Sequence, residues 1–399
     1  MKKYLDINVY EASTKRIQYV FDNFNKIYVS FSGGKDSTIM LHMAIKEARK
    51  RNKKIGVLII DLEAQYSLTM SHIEECIKEY QDIIDPYWIC LPLKLRNAVS
   101  VYEPTWTCWE LGKQHVRNYP ENCIKDLNYF DFFKENMEFE EFVVEFGEWY
   151  SQGEKTACLV GIRSDESLNR YRTIKNSNKT THGNHKWSTL VTNNVYNIYP
   201  IYDWKTEDIW IYTKKFNKKM NQVYERMRMA GVPLSQMRIC QPYGDDQKRG
   251  LWLYHLLEPQ TWSLVVQRVS GANSGSLYIQ ESGNINGYGK INKPDGHTYK
   301  SYCELLLSSM PEVTRKHYRE RFNTFIKWWE KRGYPEGIPD EAPYELEAER
   351  LVPSYRRICK CLLRNDWWCK GLSFSQPLSE AYKKFKKIKT ESKKQLETM

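Results

Sequence analysis

Ile27-Tyr28-Val29-Ser30-Phe31-Ser32-Gly33-Gly34-Lys35-Asp36-Ser37-Thr38-Ile39 joins two kinds of secondary structure through one tight turn. Residues 27–31 form a short apolar run rich in β-formers, and residues 38–45 read as helix. Between them, Gly33 and Gly34 open backbone conformations closed to other residues and let N–H groups converge on one point. The helix start adds donors that lack intrahelical partners, together with the positive end of its dipole. Lys35 adds a full positive charge, and Ser32, Ser37 and Thr38 add hydroxyls. Such a turn suits a phosphate or pyrophosphate. Asp36 would repel that ligand unless a cation lay between them, so it reads as a Mg²⁺ contact. The spacing is not the Walker pattern, which needs four residues between the first Gly and Gly-Lys.

Working outward, Ile55-Gly56-Val57-Leu58-Ile59-Ile60 is a nearly unbroken apolar run, as expected of a strand buried on both faces of a parallel sheet. Further strands are expected at 87–91, 157–162 and 195–199, with helices over 10–26 and 69–84. This alternation predicts an α/β fold, a doubly wound and mostly parallel sheet. Ligands of such sheets lie outside the carboxyl ends of the strands. Asp61, Glu63 and Tyr66 therefore belong beside the glycine turn, as does Gly161-Ile162-Arg163-Ser164-Asp165-Glu166-Ser167. The Arg163 guanidinium can fork onto phosphate oxygens. Ser164 and Ser167 could equally cap a helix. Arg170, Arg172 and Lys175 are expected in the same loop, extending the anion site or staying solvated. His182 and His185 fall in a polar loop, as proton donors, as lining of the phosphate site or as solvated side chains.

Residues 1–215 read as the nucleotide-binding α/β domain, with a helical insert at about 100–152. That insert holds Trp106, Cys108, Trp109 and Cys123, and an acidic aromatic helix is expected over 128–149. Residues 216–399 read as a mainly helical domain that covers the site. Helices are expected over 206–219, 221–230, 247–257, 313–332 and 377–389, with a loop-rich stretch at 271–296. The polar stretch 236–246 either closes over the ligand or is a surface connection.

The chain has 399 residues, 41% of them hydrophobic, which is enough for two or three domains with real cores. A net charge of +11 fits an anionic ligand or polymer. No apolar run is long enough to span a bilayer, and residues 1–6 lack the apolar core of a signal peptide, so a cytoplasmic location is expected. The 10 Cys are then expected to be reduced and mostly buried, Cys359, Cys361 and Cys369 among them rather than as metal ligands. Residues 383–389 form a basic helix end, solvated or touching nucleic acid.

The glycine turn resembles the PP-loop of the adenine-nucleotide α-hydrolase superfamily, which includes ATP pyrophosphatases and phosphoadenylylsulfate (PAPS) reductases. Residues 161–167 resemble the Gly-x-Arg-x-x-Glu-Ser segment of PAPS-reductase-like proteins. Pro200-Ile201-Tyr202-Asp203-Trp204-Lys205-Thr206-Glu207-Asp208-Ile209-Trp210 resembles the signature that closes their α/β domain, with Trp204 and Trp210 as packing residues. Residues 236–246 with Glu312, Arg321, Trp328, Trp329, Arg356, Arg357, Asn365 and Trp367 resemble the immunoglobulin-binding-regulator A type. The resemblance implies an adenine nucleotide (ATP or PAPS), Mg²⁺ and a protein partner of ParB-like nuclease fold. It implies nucleotide contacts at Ser32, Gly33, Gly34, Lys35, Asp36, Ser37, Asp61, Gly161 and Arg163, with Lys35, Asp36 and Arg163 catalytic. Residues 390–399 lack the Cys-Gly-Leu-His tail of sulfonucleotide reductases, and the Cys-Cys and Cys-x-x-Cys pairs of an iron–sulfur cluster are missing. The leading expectation is therefore adenylation of an acceptor with pyrophosphate release. The alternatives are a PAPS reductase or sulfotransferase-like enzyme, and a non-catalytic nucleotide-binding regulator.

Overall fold

The computed structural model describes residues 5–245, 251–272, 293–375, 382–387 and 390. The chain forms two compact units. One comprises Met1–Lys94, Thr107–Ile239 and Leu378–Met399, the other Leu95–Trp106 and Cys240–Pro377. The boundary read at 215/216 falls between two helices of the first unit, and residues 100–106 of the expected insert belong to the second.

The first unit is built from α1 (Val9–Asn23), β1 (Lys26–Ser30), α2 (Lys35–Lys50), β2 (Ile55–Ile60), α3 (Ser67–Tyr80) and β3 (Ile84–Ile89). After the insert come α4 (Phe139–Ser151), β4 (Thr156–Val160), α5 (Leu168–Lys175), β5 (Ser188–Leu190), β6 (Val195–Ile198), α6 (Thr206–Lys215) and α7 (Val223–Met229). Its six-stranded sheet runs β3-β2-β1-β4-β6-β5. Strand β1 pairs in parallel with β2 on one side and β4 on the other, so Tyr28 stands opposite both Gly56 and Cys158. Only β5, against β6, is antiparallel. The chain leaves β1 to build one half of the sheet and later returns through β4 to build the other. The crevice of such a sheet lies where these halves diverge, outside the ends of β1 and β4.

Both faces of the central strands are covered, which is why β2 is apolar throughout and buried over its first five residues. Gly56 is required there. A Cβ would lie 2.8 Å from the Tyr150 ring, whose hydroxyl accepts from the Gly56 N–H at 3.1 Å and donates to Ile27 O.

Three local expectations are corrected. Residues 128–138 are turns rather than helix, and α4 begins only at Phe139; Asn136 takes a left-handed φ of 59°, which a helix does not tolerate. Arg170, Arg172 and Lys175 lie on helix α5, capped by the Ser167 hydroxyl, which accepts from Arg170 N. Strand β5 was not anticipated.

The second unit is helical: α8 (Leu251–Leu257), α9 (Pro259–Arg268), α10 (Tyr299–Ser308), α11 (Glu312–Glu330), α12 (Tyr344–Ala348) and α13 (Tyr355–Leu363). Tyr318, Phe322, Phe325 and Ile358 centre its core, with Cys303, Cys359, Cys361 and Cys369 buried among them. Of the stretches read above, residues 1–4, 246–250, 273–292, 376–381, 388–389 and 391–399 lie outside the described residues. No helix among the described residues is long and apolar enough to cross a membrane.

Candidate functional site

The turn after β1 has the geometry its glycines demand. Gly33 takes φ 69°, and a Cβ on it would lie 2.9 Å from Thr69 Cγ2. Gly34 is the extended N-cap, and α2 starts at Lys35. Ser37 Oγ donates to Gly34 O at 3.0 Å and accepts from Ser32 N at 3.3 Å. The turn thus places the helix start and its hydroxyls at the crevice of the sheet.

Three charges converge on its first helical turn. Asp36 Oδ1 lies 2.5 Å from Arg163 Nε, and Asp36 Oδ2 lies 3.1 Å from Lys35 Nζ. All three side chains are buried, Arg163 to 2% exposure. Two cations against one carboxylate leave a positive excess facing the turn, suited to an anion. Gly161 makes this meeting possible: a Cβ on it would lie 2.8 Å from Asp36 O, so the exit of β4 abuts the backbone of α2 and delivers Arg163. Glu166 accepts from Arg163 N at 3.1 Å and forms an ion pair with Arg170. A divalent cation fits at Asp36 only in the company of phosphate oxygens, because this single carboxylate already faces a cation on each oxygen. Among the described residues no group of three or more His, Cys, Asp or Glu is placed to hold a metal.

Residues far along the chain close the turn, and sequence reasoning missed them. The Tyr224 hydroxyl accepts from Lys35 N at 2.8 Å, and its ring lies 5.7 Å from Lys35 Nζ. Asn221 Nδ2 donates to Gly33 O and to Thr69 Oγ1, both at 3.0 Å. Met237 O accepts from Lys35 Nζ at 3.1 Å, and Arg238 donates to Glu166 O. The polar stretch beginning at Gln236 therefore does approach the turn. Nothing in the sequence signalled Asn221 and Tyr224, which lie nearly two hundred residues away.

The end of β2 differs. Asp61 is 1% exposed and accepts from Glu63 N and from Trp88 Nε1, both at 2.9 Å, besides its ion pair with Arg117. Glu63 accepts from Trp109 N at 2.6 Å and Val116 N at 3.0 Å. Trp109 stacks on Tyr119 with centroids 4.4 Å apart, and its Nε1 donates to Asp61 O. Asp61 stands at the expected edge, where these bonds also tie it to the insert, and Glu63 shares that work. His182 is corrected from a solvated loop as well: it bonds Tyr19 through Nδ1 at 2.9 Å, packs on Phe24, and is shifted below its usual range by burial and then Lys155. His185 stacks on Trp187.

Fold and site define an α/β unit with a glycine turn at its switch point, flanked by two buried cations. The profile of the phosphoadenosine phosphosulfate reductase domain matches residues 26–90 and 91–245, and the chain belongs to that family. A second profile, a domain of unknown function (DUF3440), matches residues 231–349 and 335–383. The uncharacterized protein YbdN of Escherichia coli is 43% identical over 96% of this chain and 94% of its own length. The uncharacterized protein MJ0066 of Methanocaldococcus jannaschii is 28% identical over 55% of this chain and 38% of its own. The phosphate complex of PAPS reductase from Candida auris aligns over 61% of this chain and 98% of that one, at 12% identity and a TM-score of 0.30.

Proposed function

We propose that the chain binds an adenine nucleotide at residues 32–37 and, with ATP, transfers AMP to an acceptor. The observation that carries this reading is the pairing of the Gly33–Gly34 turn with two buried cations, Lys35 and Arg163, held by one carboxylate. In the reaction an acceptor oxygen or nitrogen forms a bond to the α-phosphorus, and the bond from that phosphorus to the α,β-bridging oxygen breaks, releasing pyrophosphate. Lys35 and the turn amides hold the leaving pyrophosphate, and Arg163 offsets charge growing at the α-phosphate. Mg²⁺ arriving with the nucleotide would neutralise further phosphate charge, with Asp36 as its protein contact. A partner of ParB-like nuclease fold remains part of this reading as what the family resemblance implies, to be sought by copurification.

The test is incubation of the full chain with α-labelled ATP, Mg²⁺ and candidate acceptors. Labelled adduct and pyrophosphate are expected, and both should vanish with Lys35→Ala. If neither forms and calorimetry finds no ATP binding, the proposal fails. The family match favours a second reading, PAPS as the nucleotide; calorimetric preference for PAPS over ATP would select it.

A further inference from the structure

The second unit contains a cavity of about 170 Å³ lined by four cations, Arg350, Arg357, Lys360 and Arg364. Three of them lie on one face of α13 and its end, at spacings of three and four residues. Two carboxylates, Glu347 and Asp366, also reach the lining, but both are committed to the scaffold. Glu347 accepts from Ala342 N, Ser354 Oγ and Arg356 Nε. Asp366 accepts from Lys370 N and Gly371 N. Among the described residues neither Arg357 nor Lys360 is paired with a carboxylate in return. Arg357 spends its N–H groups on carbonyls, Val352 O and Gly371 O, which fix its direction without cancelling its charge. Among the described residues Lys360 has no carboxylate partner; its ammonium stands 5.7 Å from the Tyr344 ring centroid. Burial, and then the Arg364 charge, lower the Lys360 pKa against an opposing pull from Glu347. Burial and then Arg350 lower that of Arg357.

We propose that this cavity is a binding site for a single phosphate group. Its volume lies below the roughly 300–1,000 Å³ of sites for drug-sized ligands and equals about five or six waters, so it suits one compact, highly charged group. The Arg350 and Arg357 guanidiniums and the Lys360 ammonium match the oxygens of a phosphate, onto which arginine forks. The phosphate comes either from a free small molecule or from the backbone of a nucleic acid strand. The site is independent of the glycine turn in its residues and in its evidence.

The experiment uses the full chain carrying Lys35→Ala, which disables the turn, titrated calorimetrically with inorganic phosphate and with a short single-stranded oligonucleotide. Phosphate binding that persists there and weakens about tenfold on adding Lys360→Ala supports the site and a free-phosphate source. Oligonucleotide binding alone that weakens likewise supports the backbone source. Lys360→Arg should retain affinity in either case, and Arg350→Ala, at an exposed position, supplies a second variant that leaves the core untouched. Absence of both bindings, or binding indifferent to Lys360 and Arg350, overturns the proposal. If Lys35→Ala does not fold, the same substitutions in the unmodified chain should remove one of two phosphate-binding phases, and retention of both overturns it.

Discussion

The ends of β1 and β2 are neighbours at the ligand edge of one sheet, and each carries an aspartate, yet they are built for different work. At the end of β1, Asp36 holds two cations whose charge exceeds its own, and the groups covering the turn are a tyrosine hydroxyl and a carbonyl. A phosphate can replace such neutral partners. At the end of β2, Asp61 and Glu63 are saturated by Arg117, Trp88, Trp109 and Val116. Buried carboxylates satisfied in this way are expensive to release. Proximity to a ligand edge thus says little until the hydrogen-bonding capacity of each group has been accounted for.

Acid should separate the two ends most strongly. His72 bonds Thr38 Oγ1 at 3.0 Å in the first turn of α2, and burial lowers its pKa to about 4. Burial, then Lys218, lowers that of His42, also on α2, to about 3. Both fold as neutral rings against an unfolded value of 6.5, so their stabilisation is complete above pH 6.5. It is lost as pH falls from there toward 4, because the unfolded chain takes up protons that the folded chain refuses. The loss is on the order of 5 kcal/mol by pH 4. Hydrogen exchange should show α2 amides opening before those of residues 107–119; simultaneous opening would erase the distinction.

Arg163→Ala should come next, at about 3–5 kcal/mol of stability, because it strips a buried carboxylate of its closer partner. A denaturation midpoint close to that of the parent would mean that Asp36 does not depend on Arg163. Asp61→Asn should cost about 2–3 kcal/mol by leaving Arg117 uncompensated, yet the folded variant should keep its nucleotide affinity. A parallel drop in calorimetric affinity would return Asp61 to the ligand site. Tyr224→Phe should have the smallest effect, tightening ATP binding about threefold by freeing the Lys35 N–H. Weaker binding would instead make that hydroxyl a ligand contact.

The turn, the strands flanking it and the α/β class were legible because their causes are local. Paired glycines permit a turn that no other residues make, and an unbroken apolar strand needs cover on both faces. Strand β5 was not legible: Ser188-Thr189-Leu190 is too short to carry a period. The helix read over 128–149 overshot its start because aromatic content does not reveal the left-handed turn at Asn136.

By itself the sequence determined the glycine turn, the strand order of chemistry along the chain, and the presence of Lys35, Asp36 and Arg163 at strand ends. Only the tertiary structure decided which charges meet, that Tyr224 and Asn221 close the turn, and that Asp61 is spent on Arg117. The reason is physical: a side chain's conformational preference is set by its chain neighbours, whereas its free charge and hydrogen-bonding capacity depend on whatever folding brings within about 3 Å of it.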